Sequence, residues 1–424
     1  MKKNIRYQSD ILERFIPVSL ERLIADLISS NILPPSQQTE FRQFCHAYTA
    51  LFHAWSHQKL EQLKYFYRPF NPDRDSLILG ISEKDQTLSD FKDRLYEVLD
   101  QANYERLSEQ ALNEALNKIS PHGVKVSVDF DEFVEVTLYY RGSAIHTELH
   151  RDWKRLQFKK KPVDVLIYRR LFVLLQPKNK QQWVEHLVND KKISHQKAEK
   201  KADEALKALG VDGDHEIVYL KMFKDIPRAD LEMLFPNTRV QIRLFDKIKL
   251  AVLGGSGTAG GVMATVSKLS AAIDPMSALM AIGGLLGVLW RQISKIFSQR
   301  AKYSAILTRN LYFYSLDTNM GALSYLADMA ETEECKEAIL AYFFLLAEGP
   351  CDRESLDQHI ESYINKQYAL PMDFEIDDGL AKLQQAGLLI AKNGGFQAQP
   401  LSSALQNLKQ QWNQIMNIDL QSGG

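Results

Sequence analysis

With 424 residues the chain is long enough for two or three domains, each with a core of its own. Lys and Arg number 52 against 53 Asp and Glu, a formal net charge of −1, which shows neither the cationic excess of a nucleic-acid binder nor an acidic tail. Cys45, Cys335 and Cys351 are scattered and form no C-x-x-C pair, which excludes a zinc ribbon or a disulfide framework and fits a reducing compartment.

The opening "MKKNIRYQSDILERF" is basic but has no apolar run behind it, so no cleaved signal peptide is expected. Residues 1–120 read as a helical region. Ser19 caps a helix with Leu20, Leu23, Ile24, Leu27 and Ile28 on one face, a longer amphipathic helix follows up to Pro69, and Ser108 starts another. Residues 121–246 read as an α+β domain. "VKVSVDF" (124–130) and "FVEVTLYYRG" (133–142) are expected to pair as antiparallel strands. "VDVLIYRRLFVLLQP" (163–177) and "EIVYLKMFK" (216–224) are further strands, separated by a lysine-rich helix that stops at Gly210. "DIPRADLEMLFP" (225–236) reads as a short interfacial helix or a packed connector.

The composition changes at 247–299. Between Lys249 and Trp290 the charged residues are Lys268 and Asp274, and eight of the chain's 21 glycines fall here. "VLGGSGTAGG" contains Gly255, Gly257 and Gly260 in G-x-G-x-x-G order, the fingerprint of a dinucleotide turn. That turn also needs an acid about 20 residues on, at the end of a second strand. The acid present, Asp274, stands before Pro275 with no strand pattern, so no nucleotide cofactor is expected. Residues 250–267 are instead an uncharged run of 18, about 27 Å of helix, and "PMSALMAIGGLLGVLW" is a second. Lys247 and Lys249 precede the pair, and Arg291, Lys295, Arg300 and Lys302 follow it. The expectation is a two-helix transmembrane hairpin with both termini on the cytoplasmic side. Gly257 with Gly261, and Gly283 with Gly287, stand at the G-x-x-x-G spacing that lets membrane helices touch. A buried hairpin of a soluble domain is the plainer alternative.

Residues 300–334 read as a helical connector and 417–424 as a tail. Residues 335–416 read as three helices, a hairpin turning at Asn393, Gly394 and Gly395, and a last helix, the order of a winged-helix module. The third helix, 373–386, carries Asp373, Glu375, Asp377 and Asp378 against Lys382. Four carboxylates repel phosphates, so the module is expected to bind protein and not DNA. The region 331–400 has 13 acidic against five basic residues.

Three blocks carry a resemblance: "RFIPVSLERLI" near the start, "YLKMFKDIPRADLEMLFP" before the glycine-rich stretch, and "RNLYFYSLDTNMGALSYLADMAETEECKEAILAYFFLL" after it. They resemble domain-of-unknown-function family 3754, the family of transmembrane protein 143. The resemblance implies membrane attachment and brings no reaction and no catalytic residues. Without an Arg- and Ser-rich transit peptide, a bacterial inner membrane is the expected location.

Other constellations are local. His53, His57 and Glu61 share one helix face at metal-ligand spacing, or form a polar stripe opposite the core. Arg151, Lys154, Arg155, Lys159, Lys160 and Lys161, interleaved with Trp153 and Phe158, read as a basic surface for anionic lipid or nucleic acid, lipid being preferred for a membrane-tethered chain, or as a solvated loop. No G-x-S-x-G, H-E-x-x-H or Walker A sequence is present, so the catalytic residues, if the chain has any, are not legible. The composite expectation is an α+β membrane-anchored protein without metal or cofactor. Its role would be interaction, assembly or lipid contact, with a protein partner or a second copy of itself. An oligomeric pore built on the hairpin, and an enzyme with a distributed or nucleotide-binding site, are the alternatives.

Overall fold

The computed structural model describes residues 5–6, 12–73, 87–117, 125–128, 130–150, 161–208, 216–235, 239–241, 305, 309, 311–392 and 395–421. The fold is mixed α and β with an antiparallel sheet. The chain divides into two compact units. The first comprises Met1–Leu107, Glu132–Asp225 and Leu316–Gly424, and the second Ser108–Asp131 and Ile226–Ser315.

In the first unit, a short strand β1 (Ile5–Arg6) is followed by α1 (Leu20–Ser29), whose first turn is closed by Ser19 Oγ accepting from Arg22 N at 3.3 Å. Pro35 then opens α2 (Pro35–Tyr67), where a missing N–H costs nothing. Thr87 and Asp90 form a reciprocal capping box at the start of α3 (Leu88–Gln101). A two-residue strand β2 (Glu105–Arg106) leads out of the helical region.

The sheet is built on a long ribbon, β4 (Phe133–His150) against β5 (Lys161–Pro177), in register from Glu135 opposite Gln176 to His150 opposite Lys161, with a shift between Phe133 and Glu135. After α5 (Lys180–Asn189) and α6 (His195–Ala208), β6 (Tyr219–Pro227) adds to β5, and β8 (Ser315–Thr318) adds to β6. β1 and β2 pair with the other edge of β4. The expected pairing of 124–130 with 133–142 is therefore wrong. β3 (Lys125–Ser127) pairs with β7 (Arg239–Gln241) in the second unit, because β4 finds a partner of nearly its own length in β5. The second unit also holds α4 (Glu109–Asn117) and a 3-10 turn, Arg228–Leu234. The turn is a packed connector: Leu231, Leu234 and Phe235 are buried, Phe235 meets Phe130 edge-on at 5.4 Å, and Arg228 pairs with Glu114 at 3.0 Å.

The longest helix after the sheet, α7 (Asn319–Glu348), begins with Asn319 at φ 50°. Its side-chain oxygen accepts from Leu220 N and Tyr67 Oη, each at 3.1 Å, which fixes the helix start against β6 and α2. Then come α8 (Arg353–Tyr368), α9 (Ile376–Gln385), the ribbon β9 (Leu389–Lys392) with β10 (Gly395–Ala398), and α10 (Leu401–Gln421). Residue 335, where the sequence suggests a module boundary, lies in the middle of α7.

Two apolar cores lie along α2 and α7. Phe41, Phe44, Tyr48 and Phe52 of α2 pack with Tyr342, Phe343 and Phe344 of α7 and with α8, α9 and α10. Leu63 and Tyr67 of α2 join Leu323 and Leu326 of α7, α3, and Phe172 and Leu174 of β5. The early half of α2 and the late half of α7 share one core, and their other halves share the second, so the two helices run antiparallel. The stretches 1–120 and 335–416, which read as separate in sequence, thus share a core. Gly379 of α9 comes so close to α7 that an added Cβ would lie 2.9 Å from Glu337 O.

The expected hairpin, 247–299, with Gly257, Gly261, Gly283 and Gly287, lies outside the described residues. Among the described residues no helix is long and apolar enough to cross a membrane.

Candidate functional site

The densest polar chemistry among the described residues lies inside the first unit, on the turn of α7 between the two cores. Glu333, Glu334, Lys336 and Glu337 are all buried there, Glu333 with 0% and Glu337 with 1% of its surface exposed. Buried charge is costly unless it is paired and hydrogen-bonded, and between them these side chains reach the segment at Ile16, β4, Asn103 and α9.

A four-residue strap, Glu13–Ile16, is the main recipient. Glu333 Oε1 accepts from Ile16 N, while Lys336 Nζ donates to Ile16 O at 2.8 Å and to Glu333 Oε2 at 3.2 Å. Arg141 of β4, 7% exposed, donates from Nη2 to Glu333 Oε2 at 2.6 Å and lies over the Phe15 ring, 4.6 Å from its centroid. Asn103 donates to Arg14 O at 3.1 Å and to Glu337 Oε1 at 2.9 Å. At its outer end the strap meets the segment before α9. Asp373 N donates to Glu13 O at 3.2 Å, and the Arg14 guanidinium pairs with Glu375. Ser143 N donates to the Glu13 carboxylate at 3.2 Å. Gly142 makes room for the strap. Its φ is 73°, and a Cβ there would stand 2.7 Å from Phe15 Cε1.

Burial sets the protonation pattern. Glu337 is pushed well above the ordinary carboxylate range by desolvation and then by the neighbouring Glu333. Glu334 is raised by burial even though Lys382 of α9 pairs with it. Lys336 is lowered by burial against the opposing pull of Glu333. The arrangement joins the strap, β4, the Asn103 turn, α7 and the α9 approach by charge-assisted bonds, several of them to main-chain groups. It serves as a clamp between distant parts of the chain.

The residues singled out in sequence lie elsewhere. His53 Nδ1 lies 2.9 Å from Glu331 Oε1, and Glu61 pairs with Lys64 at 3.0 Å. Among the described residues no group of three His, Cys, Asp or Glu is placed to hold a metal ion. The cysteines are free, Cys45 and Cys335 buried in the core. Arg151, Lys154, Arg155, Lys159 and Lys160 lie outside the described residues, in the sequence joining β4 to β5, and Lys161 begins β5. Sequence reasoning missed the clamp. The available signal was "ETEECKE", four acids and a lysine inside a helix that is apolar before and after it.

On the C-terminal side, α9 follows α8 and precedes the β9–β10 ribbon, which is tied to Cys351 by two main-chain bonds with Phe396 of 3.1 and 2.9 Å. The exposed positions of α9 are Asp377, Ala381, Gln384 and Gln385. Lys382 is turned inward onto Glu334, and Asp377 pairs with Arg353 of α8. A shallow groove of about 340 Å³ lies between Gln37, Glu40, the end of α7 and Ala398–Ser402, without a convergent set of ionisable groups.

Asp357 of α8 is raised to about 6, by burial first and then by Glu361 and Asp373. A raised carboxyl favours the folded state when protonated. Its contribution is complete below the ordinary aspartate pKa and is lost as pH rises through about 6. Asp357→Asn is therefore expected to exceed the parent in thermal stability at neutral pH. The difference should vanish toward about pH 4, which paired melting curves across that range would check.

Residues 133–321 match the family described as Protein of unknown function (DUF3754). Over this segment the chain is similar to that family. No solved structure matches the chain. The DUF3754 segment opens at Phe133, the first residue of β4, and ends in the first turn of α7 at Gly321. It therefore contains Arg141 and Gly142 of the clamp and the Asn319 anchor. The strap and Glu333, Lys336 and Glu337 lie beyond its ends.

Proposed function

We propose that this protein is a membrane-anchored interaction protein. In this reading, 247–299 forms the two-helix anchor at a bacterial inner membrane, with both termini cytoplasmic. The basic stretch 151–161 meets anionic headgroups, and the C-terminal part acts as a winged-helix module that docks protein. The observation that carries the docking role is the orientation of Lys382. The one cation of α9 points into the protein, onto Glu334, and the exposed face offers Asp377, Ala381, Gln384 and Gln385. Such a face has no cation with which to displace counterions from phosphates. The order α8, α9, β-ribbon, α10 supports the winged-helix reading. The anchor rests on the two uncharged runs and their basic flanks.

The module shares its core with residues 16–52, so the test uses the full chain. Alkaline carbonate treatment of membranes is expected to leave the protein in the pellet, and release into the supernatant would end the anchor reading. The detergent-extracted protein is expected not to retard duplex DNA at low salt, and tight binding there would end the protein-docking reading.

A further inference from the structure

The two most exposed large apolar side chains among the described residues are neighbours, Tyr312 at 79% and Phe313 at 61%. Their rings meet edge to face with 5.3 Å between centroids, and the fold leaves both largely in solvent. A single exposed apolar residue needs no explanation, but a paired aromatic set does. The pair belongs to a face. Ala305, Arg309 and residues 311–314 are helical. Ala305, Arg309, Tyr312 and Phe313 are exposed and stand at i, i+4, i+7 and i+8, the spacing of one helix face. Leu311 and Tyr314 are half-buried and fall on the other side. The outward face therefore offers a cation and two rings.

Two features favour a bilayer surface as the occupant. The first is charge. From Pro275 to Leu316 the sequence holds no Asp or Glu, although the chain averages one acid in eight residues, and its charges are Arg291, Lys295, Arg300, Lys302 and Arg309. Acid returns at Asp317 in β8, where its Oδ1 accepts from Thr318 N at 2.9 Å. A cationic stretch without acids is drawn to anionic headgroups. The second is side-chain type. Aromatic rings settle at headgroup level, where one end is apolar and the other wet, and the Tyr312 hydroxyl suits that position. Arg309, one turn before Phe313, sets a guanidinium beside the rings, a donor fork matched to phosphate oxygens. In sequence the face follows the second uncharged run, which ends at Trp290.

We propose that the face formed by Ala305, Arg309, Tyr312 and Phe313 is a bilayer contact, with both rings in the headgroup layer and Arg309 on anionic lipid phosphate. The contact rests on the membrane reading above, to which it adds a second lipid-facing site. Full-length protein carrying Phe313→Cys in a Cys351→Ser background is labelled with an environment-sensitive fluorophore, since Cys45 and Cys335 are buried. A second protein carries the label at Tyr65→Cys, a position of α2 that is 52% exposed. Both are reconstituted into phosphatidylcholine vesicles, with and without phosphatidylglycerol, that contain lipid spin-labelled near the headgroup. The label at 313 is expected to be quenched several-fold more than the label at 65. Phosphatidylglycerol should increase the difference, and Arg309→Glu should remove that increase. Equal quenching at the two positions, in protein that alkaline carbonate leaves in the membrane pellet, would overturn the contact and spare the anchor. A label at 313 that is shielded from aqueous iodide yet untouched by spin-labelled lipid would also overturn it, in favour of a protein occupant. Release by carbonate with the label at 313 still quenched by lipid would end the anchor reading and keep the contact as a peripheral one.

Discussion

Replacing Glu333 by alanine is expected to lower the stability of the first unit by about 3–5 kcal/mol, the range for breaking a buried ion pair from one side. The magnitude follows from what is left behind. Arg141 Nη2 and Lys336 Nζ lose a shared carboxylate, and Ile16 N loses its acceptor, all in a site closed to solvent. Glu333→Gln keeps an acceptor and the shape but not the charge, so its loss should be smaller. Replacing Glu333, Lys336 and Arg141 together by apolar residues of similar volume should cost less than Glu333→Ala alone, because no unpaired charge remains. Denaturant unfolding of the four proteins would check the order. If Glu333→Ala unfolded at the parent's midpoint, the clamp would contribute nothing.

Phe44→Ala is expected to cost a comparable amount, about 3–5 kcal/mol for a buried aromatic that leaves a cavity. Phe44 is fully buried and stacks on Tyr342 at 3.9 Å between centroids, with Phe41 and Tyr48 as further ring neighbours. The effect should not stay local. Phe44 lies in α2 and Tyr342 in α7, within the core that also takes in α8, α9 and α10. Hydrogen exchange should therefore show lost protection in the C-terminal helices as well as in α2. Loss confined to residues near 44 would mean that the N- and C-terminal parts are stabilised independently.

Much of the local structure was legible in the sequence. Ser19, Ser108 and the proline after Tyr67 mark helix ends that the structure places within a residue or two. The β-branched run at 163–177 is a strand. Local signals failed where the partner is remote. Nothing near 124–130 says that it pairs with 239–241, and alternation alone favoured its neighbour. α7 runs through the boundary placed at 335, because the charges of that turn are paired from β4 and bonded by main chain of the first twenty residues. The clamp was illegible for the same reason. A charged helix turn ordinarily faces solvent, and what reverses that expectation is a set of partners up to 320 positions away. The inward turn of Lys382 likewise depends on Glu334, in a different helix.

The antiparallel pairing of α2 with α7 also bears on the order in which the protein can be made. Phe44 leaves the ribosome about 300 residues before Tyr342, and at about 5–20 residues per second that is an interval on the order of tens of seconds. During it Phe41, Phe44, Tyr48 and Phe52 stand along a finished helix with no α7 to cover them. The nascent chain therefore carries an aromatic stripe without its α7 partner while its middle third is still being synthesised. A truncated chain ending before α7 would leave that stripe without the partners that cover it in the folded protein.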